Sequence, residues 1–228
     1  MNLSLRLVLT AACFISLSAA NAQEGKFTTL KFLSFPAIDT PTPIELLVGE
    51  GKTLKVEIPT NELSAARKVA LQANWVFGET VIGKDNKPTF NVLGQAPALA
   101  SDDQLILLIR KGKSDADGFS VIPINSVKTE FAAGKFLFVN SSTVDIAGIL
   151  GTEKFLLKPG MHTVIQPKGD PADKTLCQIQ IFFRKDDQPT PFFSSTWPLS
   201  DDARGLIFIY HDSATNHLRL HSIRDFPQ

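Results

Sequence analysis

Cysteine is almost missing from this sequence, with two in 228 residues, Cys13 and Cys177. Cys13 falls in a segment that reads as a removable leader, so Cys177 is left alone and no internal disulfide can brace the fold. Tyrosine is limited to Tyr210, against 17 Phe. No apolar run after the first residues approaches the length of a membrane-spanning helix. Neither sign of charge prevails, with 23 basic and 23 acidic residues. No run of Lys or Arg stands out, which argues against nucleic acid or an anionic membrane held by bulk electrostatics. Signature motifs are missing too: there is no G-x-S-x-G, no H-E-x-x-H and no C-x-x-C.

What is present begins with the leader. Residues 1–22 carry one charge, Arg6, then an apolar stretch over residues 7–17, and end in Ala20-Asn21-Ala22. This is the pattern of a secretory signal peptide cleaved after Ala22, and it predicts a periplasmic or extracellular protein. A lipoprotein reading of Cys13 fails because Thr10 stands where an aliphatic is needed and the apolar stretch continues through Phe14, Ile15 and Leu17. The full sequence is 43% apolar, and the chain after the leader is long enough for one large or two small cores.

Two stretches resemble each other. Ser101-Asp102-Asp103 precedes the apolar run 105–109, a polar turn and a second run at 119–124. Ser200-Asp201-Asp202 precedes 206–210, a polar turn and 218–223. Each reads as a β-hairpin, about a hundred residues apart, the size of a small sandwich domain. Lys31-Phe32-Leu33-Ser34-Phe35 resembles Lys135-Phe136-Leu137-Phe138-Val139, and the Gly51 stretch resembles the Gly151 stretch. Internal duplication is the reading that follows. Pairing Tyr210 with Leu218 and Phe208 with Leu220, and likewise Ile109 with Phe119 and Leu107 with Val121, gives each hairpin one apolar face. Ile106 and Ile122 on the other face of the first hairpin point to cover from both sides.

Alternation and turn residues predict strands along the rest of the chain: 26–35, 44–48, 53–58, 74–77, 89–93, 135–139, 144–150, 153–157, 162–166, 176–183 and 192–197. Residues 83–87, 168–173 and 186–191 read as loops or turns. One helix is expected, at 61–69 with Asn61 as its cap. The fold expected is all-β, with two tandem Ig-like antiparallel β-sandwich domains at 23–130 and 131–228.

All four histidines lie in the second half. His217 and His221 alternate with Leu218 and Leu220, and the register above places His211 opposite His217. Imidazoles gathered this way can bind zinc or copper, so His211, His217 and His221 are the candidate metal ligands, although a closed site needs four. The bland alternative is a polar strand face beside a turn. Met161, His162 and Cys177 do not follow the order of a cupredoxin copper site, and Cys177 reads as a small packed residue. Asp115-Ala116-Asp117-Gly118 is better explained as a turn than as a calcium loop, since an EF-hand register would put Lys113 and Ile124 at ligand positions. Gly49-Glu50-Gly51-Lys52-Thr53 lacks the earlier glycine of a P-loop and precedes a strand. Ser194, Ser195, His211 and Asp212 could form a hydrolytic triad by composition only. Trp75 and Trp197 could offer a stacking platform, but packing is the default role of an aromatic in a sandwich.

Through Phe-Val-Asn at 138–140, Lys-Pro-Gly at 158–160, Ser-x-x-Trp at 194–197 and Ile-Arg-Asp at 223–225, the second half of the chain resembles small secreted all-β proteins of Gram-negative bacteria. The resemblance implies an envelope location and a sandwich fold, and it transfers no catalytic residue. The expectation is an exported, non-enzymatic binding or structural module. Its partner would be a protein or cell-envelope component, with no cofactor, no nucleic acid and no transmembrane segment in the mature chain. The alternative is a hydrolase or metal-binding protein using the His-bearing hairpin.

Overall fold

The computed structural model describes residues 26–37, 43–83, 85–169, 174–185, 188–212, 215 and 217–227. The expected leader lies outside them, as do parts of the expected loops at 168–173 and 186–191. The first unit runs β1 (Phe27–Phe35), β2 (Ile44–Gly49), β3 (Lys52–Val56), β4 (Arg67–Ala70), β5 (Asn74–Ile82), β6 (Pro88–Pro97), β7 (Asp103–Arg110) and β8 (Phe119–Asn125). The second runs β9 (Phe136–Asn140), β10 (Ile146–Leu150), β11 (Glu153–Leu157), β12 (His162–Ile165), β13 (Leu176–Lys185), β14 (Gln188–Pro198), β15 (Arg204–His211) and β16 (Leu218–Asp225).

Each unit has an outer and an inner sheet of four strands. The outer orders are β3-β2-β5-β6 and β11-β10-β13-β14; the inner orders are β4-β1-β7-β8 and β12-β9-β15-β16. Adding eight to every strand number of the first unit reproduces the second, including the parallel pairs β1–β7 and β9–β15. The two halves are therefore all-β sandwiches built on one repeated plan. The order is not the ABED-over-CFG order of an immunoglobulin constant domain, because β1 lies inside its sheet, between β4 and β7.

Side-chain alternation distributes the apolar residues over three cores. Phe32, Ile106 and Leu108 face the first outer sheet, where they meet Leu46, Trp75 and Phe77. Phe138, Ile207 and Ile209 face the second outer sheet, against Ile146, Ile179 and Ile181. Leu33, Phe35, Leu105 and Leu107 face the other way and pack on Leu137, Val139, Leu206 and Phe208. The inner sheets thus lie face to face and the molecule is a four-layer stack. The rings of Phe35 and Phe208 are stacked with centroids 4.6 Å apart, and Tyr210 meets Phe35 edge-on at 4.9 Å. Because β7 and β15 are covered on both faces, their sequences are continuous apolar runs instead of alternating ones.

That two-sided burial also corrects the expected hairpin register. Phe208 pairs with His221, Ile209 with Leu220 and His211 with Leu218. In the first unit Leu107 pairs with Ile122 and Arg110 with Phe119. Both hairpins are one residue from the expected pairing. A strand apolar on both faces leaves its register undetermined by pattern, and a one-residue slip exchanges every partner's face. The repeat is also offset differently from its surface resemblance. Lys31 pairs with Leu105 as Leu137 pairs with Leu206, so Phe32 matches Phe138 and Ser34 matches Asn140.

The expected helix at 61–69 is absent. Residues 67–70 form β4 against residues 27–30 of β1, and residues 60–66 are irregular. Ser64 is tied to β1 twice: its N–H donates to Phe32 O at 2.9 Å, and its Oγ accepts from the Phe32 N–H at 2.9 Å. Tertiary pairing overrides the weak helical propensity of this segment.

A buried ion pair pins the second unit. Arg204 Nε lies 2.7 Å from Asp225 Oδ2, with side chains 3% and 12% exposed, and its Nη1 donates to Phe131 O at 2.7 Å. In the first unit β6 passes close over the turn before β8, where a Cβ on Gly118 would lie 2.5 Å from Leu93 O.

Candidate functional site

The three candidate histidines do not converge. His211 lies on the face of β15 that carries Ile207 and Ile209, toward the second outer sheet, whereas His221 lies on the opposite face of its sheet. The His221 ring stacks on Phe35 at 5.5 Å, and its Nε2 is buried with no hydrogen-bond partner among the described residues. His217 stands at the turn, opposite Asp212, whose N–H donates to His217 O at 2.9 Å. It shares the face of His221 but is four positions away, roughly 13 Å along a strand. Among the described residues no group of three or more His, Cys, Asp or Glu side chains could hold a metal ion. His162 is exposed on β12.

The other sequence candidates have structural places. Ser194 and Ser195 are on the outer strand β14, while His211 and Asp212 belong to the inner-sheet hairpin. Asp212 Oδ2 lies 3.6 Å from Arg219 Nε. Asp115 pairs with the buried Arg110 at 2.7 Å. Asp117 accepts from the Ser114 N–H and Oγ–H at 2.9 and 3.1 Å, bonds that hold its carboxyl below the usual range. Gly49-Glu50-Gly51-Lys52-Thr53 spans the β2–β3 turn, with Gly51 at φ +65°. Trp75 is fully buried and its Nε1 donates to Gln104 Oε1 at 2.9 Å. Trp197 packs against Phe136 at 5.5 Å in the other unit, so the two indoles share no platform. Cys177 is a free thiol in the second core, and burial pushes its pKa up.

The structure also has an opening that the sequence did not flag. It is a cleft of about 470 Å³ at the mouth of the first sandwich, where β3 and β4 form the free edges of the two sheets. Phe32, Val56, Ile58, Pro59 and Leu63 give it apolar walls. Glu57, Glu62 and Arg67 stand around it, all exposed. The local chain explains the opening. In the second unit the Asn140 N–H donates to Met161 O at 2.9 Å, and β12 starts at the next residue. In the first unit the matching Ser34 N–H donates to Pro59 O at 2.9 Å, but the chain returns to β1 only at Ser64. Residues 60–63 are an extra lobe that stands off the edge and leaves the mouth open.

No protein-family model matches the chain, and no curated protein is detectably similar to it. The geometry must therefore speak for the function. Among the described residues no helix is long and apolar enough to cross a membrane.

Proposed function

We propose that this chain is an exported binding module, non-enzymatic, whose ligand site is the mouth of the first sandwich. The observation that carries this reading is the placement of the cleft. Two units share strand order and parallel pairing, and one of them departs from the plan by a lobe that opens an apolar cleft with charged groups around it. Pockets with apolar walls and a few polar groups are what binding sites usually look like. Residues 1–22 would direct export to the periplasm or beyond, with cleavage after Ala22, and the resemblance to small secreted proteins of Gram-negative bacteria agrees with that. The partner would be a protein or cell-envelope component presenting an extended segment to the free edges of β3 and β4. The hydrolase or metal-binding alternative has less support, since His211 and His221 face opposite ways.

The test is selection from a phage-displayed peptide library on residues 23–228, compared with Ala65→Trp, which fills the cleft from an exposed position. Peptides enriched on the native chain are expected to lose at least about tenfold in affinity on the filled variant, with the melting temperature unchanged. No enrichment, or enrichment that survives the filling, sinks the proposal.

A further inference from the structure

The two units also differ along the side where β14 and β16 are the free edges of the second unit's sheets. The β15–β16 register sets Ser222 opposite Ile207 and Arg224 opposite Gly205. Ile207 packs in the second core, so Ser222 and Arg224 share its face and turn toward the outer sheet. Trp197 of β14 pairs with the buried Cys177 and turns inward to meet them. Between these strands lies a slot of about 140 Å³, with Phe136, Gly205 and Ile207 at its floor and Trp197, Ser222 and Arg224 at its sides. Ser222 and Arg224 are exposed and Trp197 is half-buried, so an occupant meets all three from solvent.

The first unit fills the same place from its own chain. Gln104 is the counterpart of Gly205, since Leu30 pairs with Gln104 as Phe136 pairs with Gly205. The Gln104 side chain is buried. Its Oε1 accepts from Trp75 Nε1 at 2.9 Å and from the Leu99 N–H at 3.2 Å, and its Nε2 donates to Leu99 O at 2.9 Å. Gly205 has no side chain to place there. The Phe136 ring lies over it instead, 2.4 Å from where a Cβ would stand, and meets the Trp197 ring at 5.5 Å. A polar plug in one unit is thus replaced by an open aromatic slot in the other.

Among the described residues that line the slot, Arg224 alone is charged. It makes no ion pair with any described residue. Its neighbour Asp225 belongs to the opposite face of β16 and is held by Arg204 at 2.7 Å. A guanidinium beside aromatic walls attracts a carboxylate more strongly than one in open water, and its fork can take both oxygens. A cavity of about 150 Å³ holds one benzene ring. We infer that the slot binds a small organic anion, a single ring or branched aliphatic group that carries one carboxylate. The apolar body rests on Phe136 and Trp197, and the carboxylate meets Arg224, with the Ser222 hydroxyl beside it. The slot lies in the other unit from the cleft and is independent of what the cleft binds.

The test follows the two indole N–H resonances of residues 23–228 by NMR during titration with benzoate and with benzyl alcohol, which keeps the ring and lacks the charge. Trp75, whose Nε1 is bound to Gln104 in the first core, is the internal reference. Benzoate is expected to shift the Trp197 resonance and leave that of Trp75 in place. It is expected to bind about tenfold tighter than benzyl alcohol, the gain from one charged hydrogen-bonded partner. Arg224→Gln is expected to bring the two probes to equal affinity with the melting temperature unchanged, and Arg224→Lys to keep part of the preference. Ser222→Trp, which fills the slot from an exposed position, is expected to remove both responses. Equal affinity of the two probes for the native chain overturns the assignment, as does a benzoate preference that survives Arg224→Gln. A Trp197 resonance that neither probe moves overturns the site itself.

Discussion

The shared core between the inner sheets makes a quantitative statement about cooperativity. Phe208 belongs to the second unit, yet its ring is fully buried against Phe35 of the first. Replacing it with alanine removes the ring from the centre of the stack and leaves a cavity between two rigid sheets. Such truncations cost ~3–5 kcal/mol. For a chain of this size ~2–4 °C is lost per kcal/mol, so the melting temperature should fall by about 6–20 °C. The informative part is where the loss is felt. Trp75 sits in the first core, hydrogen-bonded to Gln104, and in a Trp197→Phe background its fluorescence reports on the first unit alone. Far-UV circular dichroism reports on both. With one shared core, Phe208→Ala should lower both midpoints by the same amount in a single transition. A Trp75 midpoint that stays put while part of the dichroism signal melts early would refute the reasoning, since the two sandwiches would then be independent bodies in mere contact.

Three further outcomes follow from local geometry. Asp225→Ala leaves the Arg204 guanidinium buried without its carboxylate and should destabilise by ~3–5 kcal/mol, whereas replacing both residues by apolar ones should recover most of the loss; thermal melts of the single and double variants decide it. Gly118 has φ +81° and ψ −177°, a conformation open in practice only to glycine, so Gly118→Ala should cost ~1–3 kcal/mol from strain, with the clash against Leu93 O added; a chemical-denaturation midpoint equal to the native one would contradict this. The Cys177 thiol, 1% exposed and with its pKa raised by burial, should react with Ellman's reagent at least about a hundredfold slower in the folded chain starting at Gln23 than in urea; fast reaction without denaturant would show that the second core opens readily.

The layering was written in the sequence, and the register was not, for the same reason. Runs such as Leu105-Ile106-Leu107-Leu108 announce strands covered on both sides, but they also erase the alternation that would fix which neighbour each residue meets. The repeat was visible at its ends, where Ser-Asp-Asp punctuation recurs, and invisible in its middle. There the first unit carries its long connection between β3 and β4, at 57–66, while the second carries one between β4's counterpart and the next strand, at 166–175. A bulge between Leu47 and Gly49 shifts the count by one more. The segment at 61–69 contains residues that favour helices, but two hydrogen bonds between Ser64 and Phe32 decide its path, and those depend on a partner thirty residues away. The mouth was hidden because its meaning rests on matching Ser34 with Asn140. The apparent likeness of Lys31-Phe32-Leu33 to Lys135-Phe136-Leu137 aligns Ser34 with Phe138 and conceals it. The histidines gather in the second half and alternate along one strand, yet a one-residue change of register puts His211 and His221 on opposite faces.

The face that joins the two units carries a consequence for assembly. Leu33, Phe35, Leu105 and Leu107 pack on Leu137, Val139, Leu206 and Phe208 of the second inner sheet, and residues 126–135 connect the two sheets along the chain. While the second half is still being made or refolded, that face is open to the second half of any neighbouring copy, which fits it as well as its own. At high concentration the protein should therefore trade halves between chains and form exchanged dimers that keep the packing of one inner sheet on the other and differ in the path of the linker. Such dimers would elute at twice the monomer mass after refolding from urea at high protein concentration, and would disappear when refolding is done dilute.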